Sequence, residues 1–205
     1  FFNSMKWRMI GPYRGGRTVG ACGVIQQPNV FYTGVNNGGV WKTTDYGRTW
    51  QPVFDDQPTG SIGDVAVAPS NPNVIYVGSG EGLQRPDLSV GNGMYKSTDG
   101  GKTWTHLGLE NGQQIGGLAI DPTNENTVYA VASPLLRSID GGRSFQRISG
   151  STHVDYHALW INPANPKNMW QGQDGGIAVT YDGNAWEYVN NLPIGQFYQV
   201  YADNS

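Results

Sequence analysis

Apolar and polar residues alternate one by one along most of this chain, in short runs that stop at clusters of Gly, Pro, Asn and Asp. The segments "VGACGVIQQPNVFYTGVNNGG" (19–39), "IGDVAVAPSNPNVIYVGSG" (62–80), "IGGLAIDPTNENTVYAVAS" (115–133) and "HALWINPANPKNMWQGQDGG" (157–176) share one plan. Each is an alternating run, a turn rich in Pro and Asn, and a second alternating run. A period of two bounded by turn residues predicts paired β-strands.

A second pattern follows each segment. "TTDYGRTW" begins at Thr43, "STDGGKTW" at Ser97, "SIDGGRSF" at Ser138 and the shorter "TYDGNAW" at Thr180. Their aspartates, Asp45, Asp99, Asp140 and Asp182, are 54, 41 and 42 residues apart. A polar-aromatic strand comes after each box, making four strands per unit. Four antiparallel strands repeated at roughly 40–50 residues form a propeller blade.

The chemistry of the box is that of a turn. Gly100 and Gly101 permit positive φ, and Asp99 is placed to accept hydrogen bonds from the turn amides. Ser97 and Thr103 complete the local network, while Trp104 leaves the turn to pack between sheets. By the same pattern Asp45, Asp140 and Asp182 are structural, and Trp50, Phe145 and Trp186 are their aromatic partners.

These boxes resemble the Asp-box, or bacterial neuraminidase repeat, of sialidases, xyloglucanases, sortilin-type receptors and photosystem assembly factors. The resemblance covers nearly the whole chain and implies an all-β propeller without specifying a reaction, because enzymes and binding proteins share the repeat. "MKWRMIGPYRGGR" with "GGVWKTTDYGRTW" further resembles large exported bacterial propellers grouped with glycosyl hydrolases and sortilins. That likeness implies an extracellular or cell-surface bacterial location.

The expected blades are 17–54, 60–109, 113–149 and 154–190. Residues 195–205 start a further blade, and a strand at 5–12 closes the last one. Unpaired edges are disfavoured in folded proteins, so the expectation is part of a larger propeller of about seven blades. The short connection at Ser133–Leu136 suggests a degenerate third blade or a lost segment.

Composition narrows the function. Thirty Gly, twelve Pro, seven Trp and 14% charged residues in 205 suit short strands and tight turns. A net charge of -3 leaves no basic footprint for nucleic acid. No run approaches the roughly 20 apolar residues of a membrane span. Cys22, the single cysteine, cannot form an intrachain disulfide and reads as a small buried hydrophobe.

Several clusters can carry chemistry. In "HVDYHALW", His153, Asp155 and His157 would share one face of an inner strand at steps of about 6.6–6.8 Å, lining the channel or, with two imidazoles, holding a metal. Arg14 and Arg17 in "YRGGR" suit a carboxylate ligand. The bland alternative pairs them with acids such as Asp64 or Asp155. Sialidases that the chain resembles carry an Arg-Ile-Pro motif, which is absent here.

The xyloglucanase resemblance implies a catalytic Asp in an Asp-x-Gly-Gly-x-aromatic run of the first blade, where this chain has Asn36-Asn37-Gly38-Gly39-Val40-Trp41. An amide cannot serve as a general base. Asp174 and Glu81 occupy equivalent loops of later blades, so any pair among Glu81, Asp64, Asp155 and Asp174 is a candidate for glycoside hydrolysis. Trp160, Trp170, Phe197, Tyr198 and Tyr201 could stack on sugars, but most are expected in the core between blades.

The expected function is a binding scaffold for a polymer, peptide or partner protein at the channel face, within a cell-surface complex and with no cofactor. Glycoside hydrolysis of sialidase or xyloglucanase type is the alternative. Arg14, Arg17, His153, Asp155, His157 and Asp174 are the expected ligand-binding residues.

Overall fold

Val, Ile and Tyr at alternate positions pair into strands through the alternating runs of the described residues. In the computed structural model, which describes residues 16–81, 89–148, 153 and 155–193, these strands form four sheets of four. The first blade comprises β1 (Thr18–Val24), β2 (Gln27–Val35), β3 (Gly39–Thr43) and β4 (Gln51–Pro52). The second comprises β5 (Ile62–Val67), β6 (Ile75–Ser79), β7 (Met94–Ser97) and β8 (Thr105–His106). The third comprises β9 (Gly117–Ile120), β10 (Val128–Val131), β11 (Leu136–Ser138) and β12 (Gln146–Arg147). The fourth comprises β13 (Tyr156–Ile161), β14 (Met169–Gln173), β15 (Gly176–Thr180) and β16 (Glu187–Val189).

Every sheet is antiparallel and ordered as its strands occur in sequence. The third blade is a full four-stranded sheet despite its short connection before Leu136. β1 packs beside β5, β5 beside β9 and β9 beside β13, so first strands line the inner side of the arc. This is the all-β propeller architecture. The expected strand at 5–12 and the further blade at 195–205 lie outside the described residues.

The core lies between blades rather than within one. Val24, Val30, Tyr32, Val40 and Phe54 of blade one meet Ile62, Val65, Ile75, Val77 and Tyr95 of blade two. Tyr76 and Met94 meet Ile115, Val128 and Ala130 across the next seam. Burying one side chain such as Ile62, Ile75 or Ile115 contributes roughly 1.5–3 kcal/mol. Alternation thus gives each sheet two apolar faces, one for each neighbour.

A polar latch repeats at each seam. Lys42 Nζ donates to Gly100 O at 2.9 Å, Lys96 Nζ to Gly141 O at 3.3 Å, and Arg137 Nη1 to Gly183 O at 3.5 Å. The acceptor is each time the residue following the box aspartate of the next blade. Lys42 and Lys96 lie over the rings of Tyr32 and Tyr76, and Tyr32 Oη donates to the same Gly100 carbonyl. The corresponding residue of blade four is Val179.

The aspartate turns join third to fourth strands. Asp99 Oδ1 accepts from Ser97 Oγ, Lys102 N and Thr103 N, and Oδ2 accepts from Thr103 Oγ1 at 2.6 Å. Asp140 is bonded in the same way by Ser138, Arg143 and Ser144, and Asp45 by Thr43 and Thr49. Asp182 keeps Thr180, Asn184 N and Ala185 N, but Ala185 stands where the other boxes have a hydroxyl. Gly100 and Gly101 adopt φ of 73° and 87°, while Tyr46 takes the first of these positions in blade one at 63°.

Candidate functional site

Strand direction divides the chemistry between two ends of the arc. Antiparallel order puts the starts of first strands and the turns between second and third strands at one end, and the aspartate turns at the other. Arg17, Asn36, Glu81, Asp155, His157 and Asp174 belong to the first end.

At the seam of blades one and two, Glu81 follows β6 and its side chain is fully buried. Arg17 Nη1 lies 3.6 Å from Glu81 Oε1, and Asn36 Nδ2 donates to Glu81 Oε2 at 2.5 Å. A carboxylate out of water needs such partners. Arg17 therefore pairs with Glu81, not with Asp64 or Asp155. Asn36, which stands where the xyloglucanase resemblance implies an aspartate, binds a neighbour across the seam. Its Oδ1 is buried and without a hydrogen-bond partner.

Asp64 sits on β5 between the inner strands of its neighbours. Oδ1 accepts from Val65 N and Oδ2 from Leu118 N of blade three, both at 2.8 Å. Burial pushes its carboxyl up to about 6, against the downward pull of the two amides. At the matching register positions the other blades carry Gly20, Gly117 and Ala158. Asp64 thus bridges two inner strands.

The most chemically open cluster is on blade four. His157 Nε2 lies 2.6 Å from Asp174 Oδ1, and one donor atom each of Asp155, His157 and Asp174 lies within 4.8 Å of the others. Asp174 belongs to the tight β14–β15 turn, where Gly176 has φ 119° and Tyr188 Oη donates to Gly175 O. Asp174 N donates to Asp155 O at 3.3 Å, tying the turn to the start of β13. All three residues are exposed.

The sequence grouped His153, Asp155 and His157, whereas the structure groups Asp155, His157 and Asp174. β13 begins only at Tyr156, and its register shifts between Tyr156 and Ala158. A bulge re-aims the side chain at its centre, so alternation does not extend from 153 to 157. His153 instead accepts a bond from Asp155 N through Nδ1. The signal for Asp174 was its Asp-Gly-Gly turn; nothing local pointed to His157 as its partner.

Trp160 and Trp170 are 52% and 42% exposed among the described residues, which hold no blade beyond the fourth. They face each other across β13 and β14, on the side where blades one to three have Cys22, Ala66 and Ala119 opposite Tyr32, Tyr76 and Tyr129. Trp50 is also exposed, at one end of a groove of about 1100 Å³ that crosses the face of blade one from Ala21 on β1 past Phe31 and Trp41 to Tyr46. By contrast, Trp104 reaches back across its seam to donate to Val53 O at 2.6 Å and packs edge-on against Phe54. Trp186 Nε1 is buried without a partner.

Cys22 packs against the first core cluster. Burial, and then the Asp64 carboxylate, push its thiol up to about 12. Arg14, Phe197, Tyr198 and Tyr201 lie outside the described residues. Among those residues, no helix is long and apolar enough to cross a membrane.

No protein-family model matches the chain. Among curated proteins it is 25% identical over 201 residues to a xyloglucanase of Paenibacillus sp, covering 77% of this chain and 19% of that protein. It is 26% identical over 201 residues to an oligoxyloglucan-reducing end-specific xyloglucanase of Emericella nidulans, covering 84% and 24%. The chain therefore spans about a fifth to a quarter of these relatives.

Among solved structures, it superposes on an ancestral GH74 enzyme with TM-score 0.71 at 24% identity, covering 91% of this chain and 25% of that one. For the GH74 xyloglucanase of Xanthomonas campestris the values are 0.71, 19%, 92% and 32%. YCF48 bound to D1 peptide gives 0.60, 16%, 84% and 54%. Hydrolases and a peptide-bound protein thus share this architecture, and the chain is built of β-propeller blades similar to those of GH74 xyloglucanases and of YCF48.

Proposed function

We propose that this propeller is an exported, cell-surface binding scaffold whose inner-strand face captures a polysaccharide of the xyloglucan class. The observation that carries this reading is the fate of its four candidate carboxylates. Glu81 is held by Arg17 and Asn36, and Asp64 by two backbone amides. Asp155 and Asp174 remain open to solvent, with His157 beside them. Exposed carboxylates and an imidazole on a rigid turn suit hydrogen bonding to sugar hydroxyls. The names of the curated relatives support the ligand class.

Hydrolysis is the second reading, because the Asp155 and Asp174 donor oxygens lie within 4.8 Å, near the spacing of about 5–5.5 Å between the paired carboxyl groups of retaining glycosidases. Calorimetric titration with xyloglucan oligosaccharides, run beside a reducing-sugar assay, separates the two. Saturable binding without sugar release is expected. Release that disappears in Asp174→Asn would establish hydrolysis instead, and no binding at millimolar ligand would remove both.

A further inference from the structure

We infer that Asp155, His157 and Asp174 form a three-ligand site for a divalent transition cation, Zn2+ in the first instance. Two carboxylates and one imidazole converge from the start of β13 and the β14–β15 turn. Among the described residues no Lys or Arg side chain pairs with either carboxylate, and His157 is the partner of Asp174. Two like charges this close need a countercharge. A divalent ion supplies it.

The spacing fits such an ion. Zn–N and Zn–O bonds of 2.0–2.2 Å in tetrahedral geometry require donor atoms about 3.3–3.6 Å apart. The His157–Asp174 contact is 2.6 Å, and the donor atoms span no more than 4.8 Å. Coordination would open the short contact slightly and draw the third donor inward. Exposure of all three leaves the remaining positions to water. An imidazole nitrogen selects against Ca2+, which takes six to eight oxygen ligands, and favours Zn2+ and its transition-series neighbours.

The supporting frame is already tied. Asp174 N bonds to Asp155 O, and Tyr188 Oη anchors the turn through Gly175 O. These contacts hold two ligands in place before an ion arrives, which lowers the ordering needed on binding. His153 is not a ligand, since its Nδ1 accepts the Asp155 amide.

The inference does not rest on glycan capture, although an ion here would give that face a contact for sugar hydroxyls. Its test therefore contains no glycan. Metal-stripped protein without an affinity tag is titrated calorimetrically with ZnCl2 and, separately, CaCl2. One Zn2+ per chain is expected, with binding weakened roughly tenfold or more in His157→Ala and in Asp174→Asn and unchanged in His153→Ala. Ca2+ should give no saturable heat.

Co2+ added to the wild-type chain should produce the visible bands of a low-coordinate site, a readout that needs no variant to fold. Absence of saturable Zn2+ uptake by folded wild-type protein overturns the inference. So does uptake that His157→Ala leaves intact, or Ca2+ binding as tight as Zn2+.

Discussion

At the residue scale, one carboxylate chemistry does two opposite things in this molecule. The hydroxyl and amide donors around Asp45, led by Thr49, hold its carboxyl near 2, and those around Asp99 and Asp140, led by Thr103 and Ser144, hold theirs lower still. A carboxyl depressed in the folded state adds stability that is complete above its unfolded value of about 3.9 and is lost as the pH falls through the folded value. Asp64 is raised instead, so its ionisation opposes folding increasingly between about pH 4 and pH 6. Urea midpoints followed against pH should fall below about pH 4. In Asp64→Asn the acid limb should remain, while the slope between pH 4 and 6, on the order of 2 kcal/mol, should vanish.

Tyr46 supplies a second residue-scale prediction. Its φ of 63° is occupied by Gly100 and Gly141 in the next two boxes. A side chain in this region costs about 1–2 kcal/mol in local strain, partly offset by the greater freedom of Gly in the unfolded chain. Tyr46→Gly should therefore stabilise the protein by up to about 1 kcal/mol in urea unfolding. A destabilised variant would mean that the exposed Tyr46 ring makes contacts worth more than its strain.

At the element scale, the blades are coupled by side chains whose sequence signal is weak. Alternation shows which residues leave a strand on the same face, but not which of them reaches a neighbouring sheet. Lys42, Lys96 and Arg137 look like ordinary surface cations in "WKT", "YKS" and "LRS", yet each donates to the next aspartate turn. Lys42→Met should lower stability by about 1 kcal/mol through loss of the Gly100 bond and the Tyr32 ring contact. Lys102→Met, one turn away and exposed, should change it little; equal losses in the two would show that the seam does not depend on the latch.

The same scale explains what could be read in advance. Four strands and an aspartate turn per blade were legible because the hydroxyl-x-Asp-Gly spacing and period-two runs are local. The partnership of His157 with Asp174 was not, because a bulge at the start of β13 changes the side-chain direction. Glu81 looked like a loop carboxylate in "SGEG", and its pairing with Arg17 and Asn36, which approach from another blade, leaves no local signal.

At the scale of the whole molecule, the aspartate turns and the solvent-open carboxylates occupy opposite ends of the strands. The aspartate turns fasten the third and fourth strands of each blade, and the first-strand starts carry the open polar groups. Glu81 links the two functions, since it locks the blade-one loop to blade two without facing solvent. Glu81→Gln should cost about 1–3 kcal/mol of stability by weakening a buried pairing, while leaving the exposed blade-four cluster in place. Thermal unfolding and glycan titration of that variant separate the two effects: a lower midpoint with unchanged affinity is expected. A parallel loss of affinity in folded protein would place Glu81 in the ligand site.

The most direct test of the division between the two ends is a residue-resolved NMR titration with a xyloglucan oligosaccharide. Shifts should concentrate at Asp155, His157 and Asp174, with the amides around Asp45, Asp99 and Asp140 unmoved. Shifts centred on the aspartate turns, or on the blade-one groove beside Trp50, would contradict it.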